Sequence, residues 1–521
     1  MSKEITRRNF ITQATSTLGI ASLLTPQSFF AQEKNVNFDN VRNNIQKAVS
    51  AGSPPSLAVA VAKDGKIIWE EAFGWANREK RIPATVETRY AVASVSKPLT
   101  ALGVMVLVGR NLIKLDDSVS KFLGKIKLTA YEGDAATVTI RHLLQHTSGL
   151  PRHWRNFYSD EGETPPKLEE TISRYGILVN APGTQHLYTN LGYGLLAHII
   201  EQVSGSPFSE FMRKEVFQPL GMTNTSIEHE SRISKPAASL YASDGAVIPY
   251  YVLDESGAMS ATSSVHDIIK FGMFHLKEKV PGQRQVIKSE AIDLMEQNKF
   301  ITGIAGSVQG TDWFYSLGWV GREKSKYSYY SLAHSGDAPG VSALLMILPS
   351  ERIAIATIAN ARFVDLIYTV ADDVLDSLLP DNKKMREADP SAKPPSNTQF
   401  KPTEDLLGNW TGEIKTYSGI IPITMKFQTD GDVYVKLEGQ LQTILSNISY
   451  ENKKLIGRCH GTITTTDALR KPHQLRFVLN HKGSELSGTV HAQSSVDAVA
   501  KGTPNRDYLA LASWVKLNQK A

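Results

Sequence analysis

The sequence predicts a large α+β domain, an antiparallel sheet with a helical region, followed by a small all-β, barrel-like domain. Three observations carry that expectation. Pairs of β-rich segments flank a run of helical patterns in the longer, N-terminal part of the chain. A proline-rich stretch interrupts the chain at residues 381–402. Beyond it, short alternating segments recur at roughly ten-residue spacing, the rhythm of a sandwich or barrel.

Taken in order, the chain opens with Arg7-Arg8 before Asn9, Phe10 and Ile11, and a mildly apolar run extends to Leu24. That order resembles a twin-arginine export signal over residues 1–31. The run carries Thr12, Gln13, Thr15, Ser16 and Thr17, too polar for a stable bilayer span. The alternative is a basic amphipathic helix of the folded domain. The export reading implies recognition by the twin-arginine machinery and release to the periplasm or the exterior. No stable membrane anchor is expected, because such an address is read by a receptor and no cysteine stands nearby to carry a lipid.

Residues 36–380 form the large domain. Ser56–Lys63 and Lys66–Trp75 are apolar and β-rich around the Asp64-Gly65 turn. Leu344–Leu348 and Ile353–Ile358 repeat the pattern around Pro349-Ser350-Glu351. Pro98–Val108, Ile140–Gln145 and Leu191–Val203 read as helices between them. Strands at both ends imply one sheet that joins the two ends of the domain. Residues 381–402 hold Pro390, Pro394, Pro395 and Pro402 among charges, without apolar period, and read as a linker. In residues 403–517, the segments Trp410–Ile414, Ile421–Gln428, Val433–Leu437, Gln442–Ser449, Lys454–Gly461, Gln474–Asn480 and Glu485–Ala492 read as strands. Tyr508–Leu517 reads equally as a strand or a closing helix.

Composition narrows the function classes. The 521 residues are 41% hydrophobic and 21% charged, which excludes a disordered chain. The formal charge is 57 − 52 = +5, with no dense basic block, so nucleic acid is not an expected partner. A single cysteine, Cys459, excludes a disulfide framework and a thiolate-built metal site. No acidic pair has metal-ligand spacing, so no metal and no other cofactor is expected.

The chemistry concentrates in the large domain. Ser94-Val95-Ser96-Lys97 is an S-x-x-K tetrad, and the same pattern recurs at Ser118–Lys121 and Ser513–Lys516. Context separates them. Ser94 follows the extended Tyr90–Ala93 and precedes an apolar helix, so it sits where free N–H groups and the helix dipole favour a developing anion. Lys97, at i+3, shares its helix face. A desolvated amine there can take the hydroxyl proton.

Further segments follow in order: Thr139 to Pro151, containing His146-Thr147-Ser148-Gly149-Leu150-Pro151; Tyr188-Thr189-Asn190; and His334-Ser335-Gly336. Together with the tetrad they resemble the serine β-lactamase and penicillin-recognising family, over roughly residues 38–380. The class C β-lactamases, D-Ala-D-Ala carboxypeptidases, D-aminopeptidases and related esterases are closest in pattern. The resemblance implies a β-lactamase-like fold and a serine hydrolase that works through an acyl-enzyme on a small-molecule or peptide substrate. It makes Ser94 the nucleophile, with Lys97 and Tyr188 sharing general-base duty. Asn190, His334, Ser335 and Gly336 become substrate-binding residues, and the backbone N–H groups of Ser94 and Asp337 the oxyanion hole. His146 is read as structural. The third motif begins with His334 where the penicillin-binding members have lysine. That departure favours D-amino-acid peptides or short esters over β-lactams, with imidazole gaining charge only toward pH 6. A binding or sensor module with little turnover is the alternative.

Overall fold

Strand β1 (Ser56–Lys63) is buried along nearly its whole length, and its alternation explains how. Ala58, Ala60 and Ala62 lie on one face and Leu57, Val59 and Val61 on the other. The neighbouring strand, named β8 below, pairs Ala60 with Ala356 and Val59 with Thr357, so each face of the sheet is uniform. A helix over Val265–His275 packs on the alanine face. There a Cβ on Gly272 would stand 3.1 Å from Ala354 Cβ, so small residues on both sides permit the close approach. Thr357 Oγ1 faces the opposite way, toward the Ile367 carbonyl of a helix over Val364–Leu378. The sheet is thus buried on both faces, and its strands read as continuous apolar runs.

The structure, a computed structural model, describes residues 36–227, 237–297, 299–300, 313–323, 329–387, 400–494 and 509–520. The expected export signal lies outside them, as does most of the expected linker. In chain order the sheet comprises β1, β2 (Lys66–Asn77), β3 (Ile82–Pro83), β4 (Trp313–Tyr315), β5 (Val320–Arg322), β6 (Ser331–Ala338), β7 (Val341–Leu348) and β8 (Ile353–Ala359). Its spatial order is β4-β5-β6-β7-β8-β1-β2-β3, antiparallel throughout. N- and C-terminal strands of the region therefore meet at β1–β8, as expected.

The helical region lies between. A helix over Ser96–Gly109 is buried on nearly all sides, and Pro98 falls in its first turn, where no intrahelical N–H bond is forfeited. It ends at Asn111, whose positive φ of 58° closes the C-terminus. A second long helix, Asn190–Ser204, packs against it.

The C-terminal strands are β9 (Gly408–Thr416), β10 (Gly419–Phe427), β11 (Val433–Leu437), β12 (Thr443–Ile444), β13 (Ser446–Glu451), β14 (Lys454–Cys459), β15 (Gln474–Lys482), β16 (Glu485–Gln493) and β17 (Leu509–Gln519). They pair in the order β12-β11-β10-β9-β17-β16-β15-β14-β13. The two edge strands are separated in sequence only by Leu445, so the sheet curls into a nearly closed barrel around Trp410, Phe427 and Phe477. The stretch read as strand or helix is a strand, and a central one. β17 also leaves the barrel: Leu509 and Ala510 pair with Arg155 and Trp154 of a strand over Trp154–Tyr158 in the large region. Asp467 adds a second tie. It accepts two bonds of 3.0 Å from Arg174 Nη1 and one of 2.8 Å from the Tyr175 hydroxyl, and lies 3.3 Å from Arg155 Nη1. Phe38–Ala521 form a single unit by these contacts. Among the described residues no helix is long and apolar enough to cross a membrane.

Candidate active site

Ser94 sits in a short 3-10 turn, Ala93–Val95, that runs directly into the Ser96–Gly109 helix. The turn is held from behind. Ser96 Oγ donates to the Ala93 carbonyl at 2.6 Å and accepts from Ala261 N–H at 3.0 Å. Lys97 lies one turn on and is fully buried. Its Nζ is 3.1 Å from Ser94 Oγ, 2.9 Å from Asn190 Oδ1 and 3.1 Å from the Ala258 carbonyl. Burial holds the lysine well below its ordinary range; Glu255 opposes this and Arg152 adds to it.

Donor counting gives this arrangement its meaning. The Ala258 carbonyl can only accept, and so can Asn190 Oδ1, whose amide orientation is fixed because Nδ2 donates to the His153 carbonyl at 3.0 Å. A neutral amine has two N–H bonds, and both are committed to those acceptors. In that neutral form the lone pair would face the Ser94 hydroxyl, whereas the charged amine donates its third N–H there.

The rival tetrads lack this geometry. Lys121 is paired with Asp117 at 2.7 Å. Ser513 and Lys516 lie on strand β17, where residues three apart point to opposite faces.

Tyr188 is half-buried, its ring centroid 4.7 Å from Lys97 Nζ. The ring of His146 lies 4.2 Å away. His146 accepts from Thr189 N–H at Nδ1 (3.2 Å), which puts its proton on Nε2, 3.1 Å from the Tyr315 hydroxyl. That hydroxyl in turn lies 3.1 Å from His334 Nε2, and His334 Nδ1 lies 2.9 Å from the Ser335 carbonyl. The directions are forced along the chain: His146 donates to Tyr315, Tyr315 donates to His334, and His334 donates to Ser335 O. His146 is therefore a support for Tyr188 and β6.

Three residues expected to meet substrate also have partners within the protein. Asn190 is 1% exposed with both ends of its amide engaged; it positions Lys97. His334 has both ring nitrogens occupied, and burial pushes its pKa down to about 3. It stays neutral, so the charge expected toward pH 6 does not develop. Gly336 is required by packing: a Cβ there would lie 2.1 Å from the Val92 carbonyl, because β6 crosses tightly over the turn that carries Ser94. Ser335 and Asp337 lie on the alternate face of β6, and Asp337 forms a two-point ion pair with Arg362 at 2.6 and 2.8 Å. Strand β5 pairs only with Ser331–Ala333. Among the described residues, the edge of β6 from His334 to Ala338 is left uncovered by a strand, beside the Ser94 turn.

A cavity of about 420 Å³ opens next to this turn, lined by Ala93, Leu240, Tyr251, Met259, Ala338 and Val341 among others. Its wall includes the chain neighbours of Ser94 and Asp337, while Ser94 and Tyr188 themselves do not line it. Sequence reasoning missed Tyr315 and the backbone acceptor Ala258. It also missed a buried group, His153 with Asp254 and Glu255, whose histidine stands about a hundred residues from the two adjacent carboxylates.

The site thus sets a buried lysine amine 3.1 Å from a serine hydroxyl at a helix start. The Beta-lactamase family profile matches residues 41–370, and the chain belongs to that family. Protein flp of Staphylococcus aureus (strain MRSA252) is 25% identical over 321 residues, 61% of this chain and 61% of flp; the match thus spans about three-fifths of that relative's length. The octameric penicillin-binding protein homologue from Pyrococcus abyssi superposes with a TM-score of 0.56 at 22% identity, covering 92% of this chain and all of that one. EstCE1, a hydrolase with promiscuous acyltransferase activity, superposes with a TM-score of 0.53 at 22% identity over 66% of this chain and 98% of that one. At these identities the structural likenesses speak to fold.

Proposed function

We propose that this protein is an exported serine hydrolase that cleaves uncharged short esters or D-amino-acid amides through an acyl-enzyme on Ser94. The observation that carries the reading is the fully buried Lys97 Nζ, 3.1 Å from Ser94 Oγ. Ser94 Oγ bonds to the substrate carbonyl carbon as its proton passes to Lys97 Nζ. The carbonyl oxygen becomes an oxyanion at the backbone N–H groups of Ser94 and Asp337. Collapse breaks the bond to the leaving group, which takes the proton by way of Tyr188. Water then attacks the acyl carbon, with Lys97 and Tyr188 again receiving its proton, and frees the acid. A neutral, enclosed His334 supports uncharged substrates over carboxylate-bearing lactams. The mainly apolar cavity beside Ala93 supports an apolar acyl or leaving group. The export part rests on the Arg7-Arg8 segment.

The test is covalent labelling by a serine-directed phosphonate, with turnover of nitrophenyl butyrate, a D-alanyl anilide and a chromogenic cephalosporin. Ser94→Ala removes labelling while Ser118→Ala and Ser513→Ala keep it, and the ester or anilide is turned over faster than the cephalosporin. Labelling that survives in Ser94→Ala overturns the site. A cephalosporin turned over best overturns the substrate class. A stable adduct without turnover of any substrate makes the protein a binding module.

A further inference from the structure

Behind Asn190 the fold encloses three side chains that the acyl-transfer chemistry does not use. Those of His153, Asp254 and Glu255 are 0%, 2% and 0% exposed. Both nitrogens of His153, both carboxylate oxygens of Glu255 and Oδ1 of Asp254 have no hydrogen-bond partner among the described residues. Buried ionisable groups are as a rule paired, hydrogen-bonded or bound to metal. The three groups face one another without an aligned hydrogen bond, which is the mark of a site where an ion fits between them.

The distances say what fits. His153 Nε2 lies 3.4 Å from Glu255 Oε1 and 3.6 Å from Asp254 Oδ2, and one ligand atom from each residue falls within 4.8 Å of the other two. Around a tetrahedral ion with bonds of about 2.0–2.1 Å, ligand atoms stand about 3.3 Å apart. We propose that His153, Asp254 and Glu255 bind a divalent first-row transition metal ion of the zinc or manganese class. Imidazole with two carboxylates is a borderline donor set, whereas Ca²⁺ and Mg²⁺ take oxygen alone. Two carboxylates also balance the charge of the ion. Thr171 Oγ1 donates to Asp254 Oδ2 at 2.7 Å, the kind of outer hydrogen bond that orients a ligating carboxylate. Asp254 lines the 420 Å³ cavity, which supplies an entry path.

The ion does not touch the substrate. Its ligands sit on two segments: one carries the His153 carbonyl that holds Asn190, and the other leads to the Ala258 carbonyl that holds Lys97. The ion ties these segments together and so positions Lys97.

The experiment uses tag-free, full-length protein, stripped with a chelator and desalted. Zn²⁺ or Mn²⁺ is then added, and bound metal is measured by mass spectrometry alongside the thermal midpoint. About one equivalent binds and the midpoint rises by about 4 °C or more. His153→Ala and Glu255→Gln lose the bound equivalent, and crystals show an anomalous peak between the three side chains. Stripped wild-type protein that rebinds neither ion and keeps its midpoint overturns the proposal without recourse to any variant. Wild-type stoichiometry in both variants overturns it as well, since the metal then lies elsewhere.

Discussion

Replacing Tyr315 by phenylalanine removes one oxygen from the centre of the His146–Tyr315–His334 chain. Tyr315 is 1% exposed, and its ring remains, so the packing term is small. Two hydrogen bonds of 3.1 Å disappear. They leave the Nε2–H of His146 and the Nε2 lone pair of His334 buried without partners. Each orphaned group costs about 1–3 kcal/mol, and the sum of about 2–6 is reduced because the tyrosine hydroxyl no longer has to be desolvated. The expected net loss is about 2–4 kcal/mol. Urea unfolding followed by circular dichroism measures it as a lower midpoint at unchanged slope. Phosphonate labelling of Ser94 in the same sample shows that the variant is folded. A loss below about 0.5 kcal/mol refutes the assignment of proton positions along the chain, because a neutral contact without directed bonds would be removed at little cost.

Two further outcomes follow from buried charge. Burial pushes His186 down to about 4 and His275, His334 and His491 down to about 3, from 6.5. The unfolded chain therefore binds more protons than the folded one below about pH 6.5, so their stabilising contribution is full above that value. It is lost at up to about 1.4 kcal/mol per pH unit per histidine as pH falls toward 3–4. Glu296, raised by burial to about 7, works in the opposite sense, with stability lost as pH rises from about 4.5 to 7. Four histidines outweigh it on the acid side, and His275→Leu measured by unfolding between pH 7 and 4 shows a shallower acid slope; an unchanged slope contradicts the neutral burial of that ring. Asp467→Ala leaves Arg155 and Arg174 without their shared carboxylate between the barrel and the large region. The expected loss is about 3–5 kcal/mol, seen as a lower thermal midpoint, and a variant as stable as wild type refutes the clamp.

The elements legible in the sequence are those whose burial is local. β1 and β8 announced themselves because both faces are covered, so every position is apolar, and the Ser96–Gly109 helix for the same reason. β4 and β5 are three residues each, too short to show a period. β17 could not be distinguished from a helix because it too is buried on both sides, between β9 and β16. Its pairing with Trp154–Tyr158 joins residues over 350 positions apart, and no spacing rule reaches that far. That pairing crosses the break expected at 381–402.

The site divides along the same line. Ser94 and Lys97 are readable because one helical turn brings i and i+3 together. What encloses the lysine is not local: Tyr188, Asn190 and Tyr193 arrive from one other segment and Ala258 from a second. Tyr193 illustrates the difference. It lies 5.5 Å from Lys97 Nζ, close enough to rival Tyr188 by position alone. Its hydroxyl, however, donates to the Leu144 carbonyl at 2.9 Å and burial drives its pKa far upward, so it holds its proton. The Tyr188-Thr189-Asn190 spacing selects Tyr188 alone. The buried acceptor at the far end of Tyr193 gives a physical reason why a second phenol near the lysine is not its equivalent.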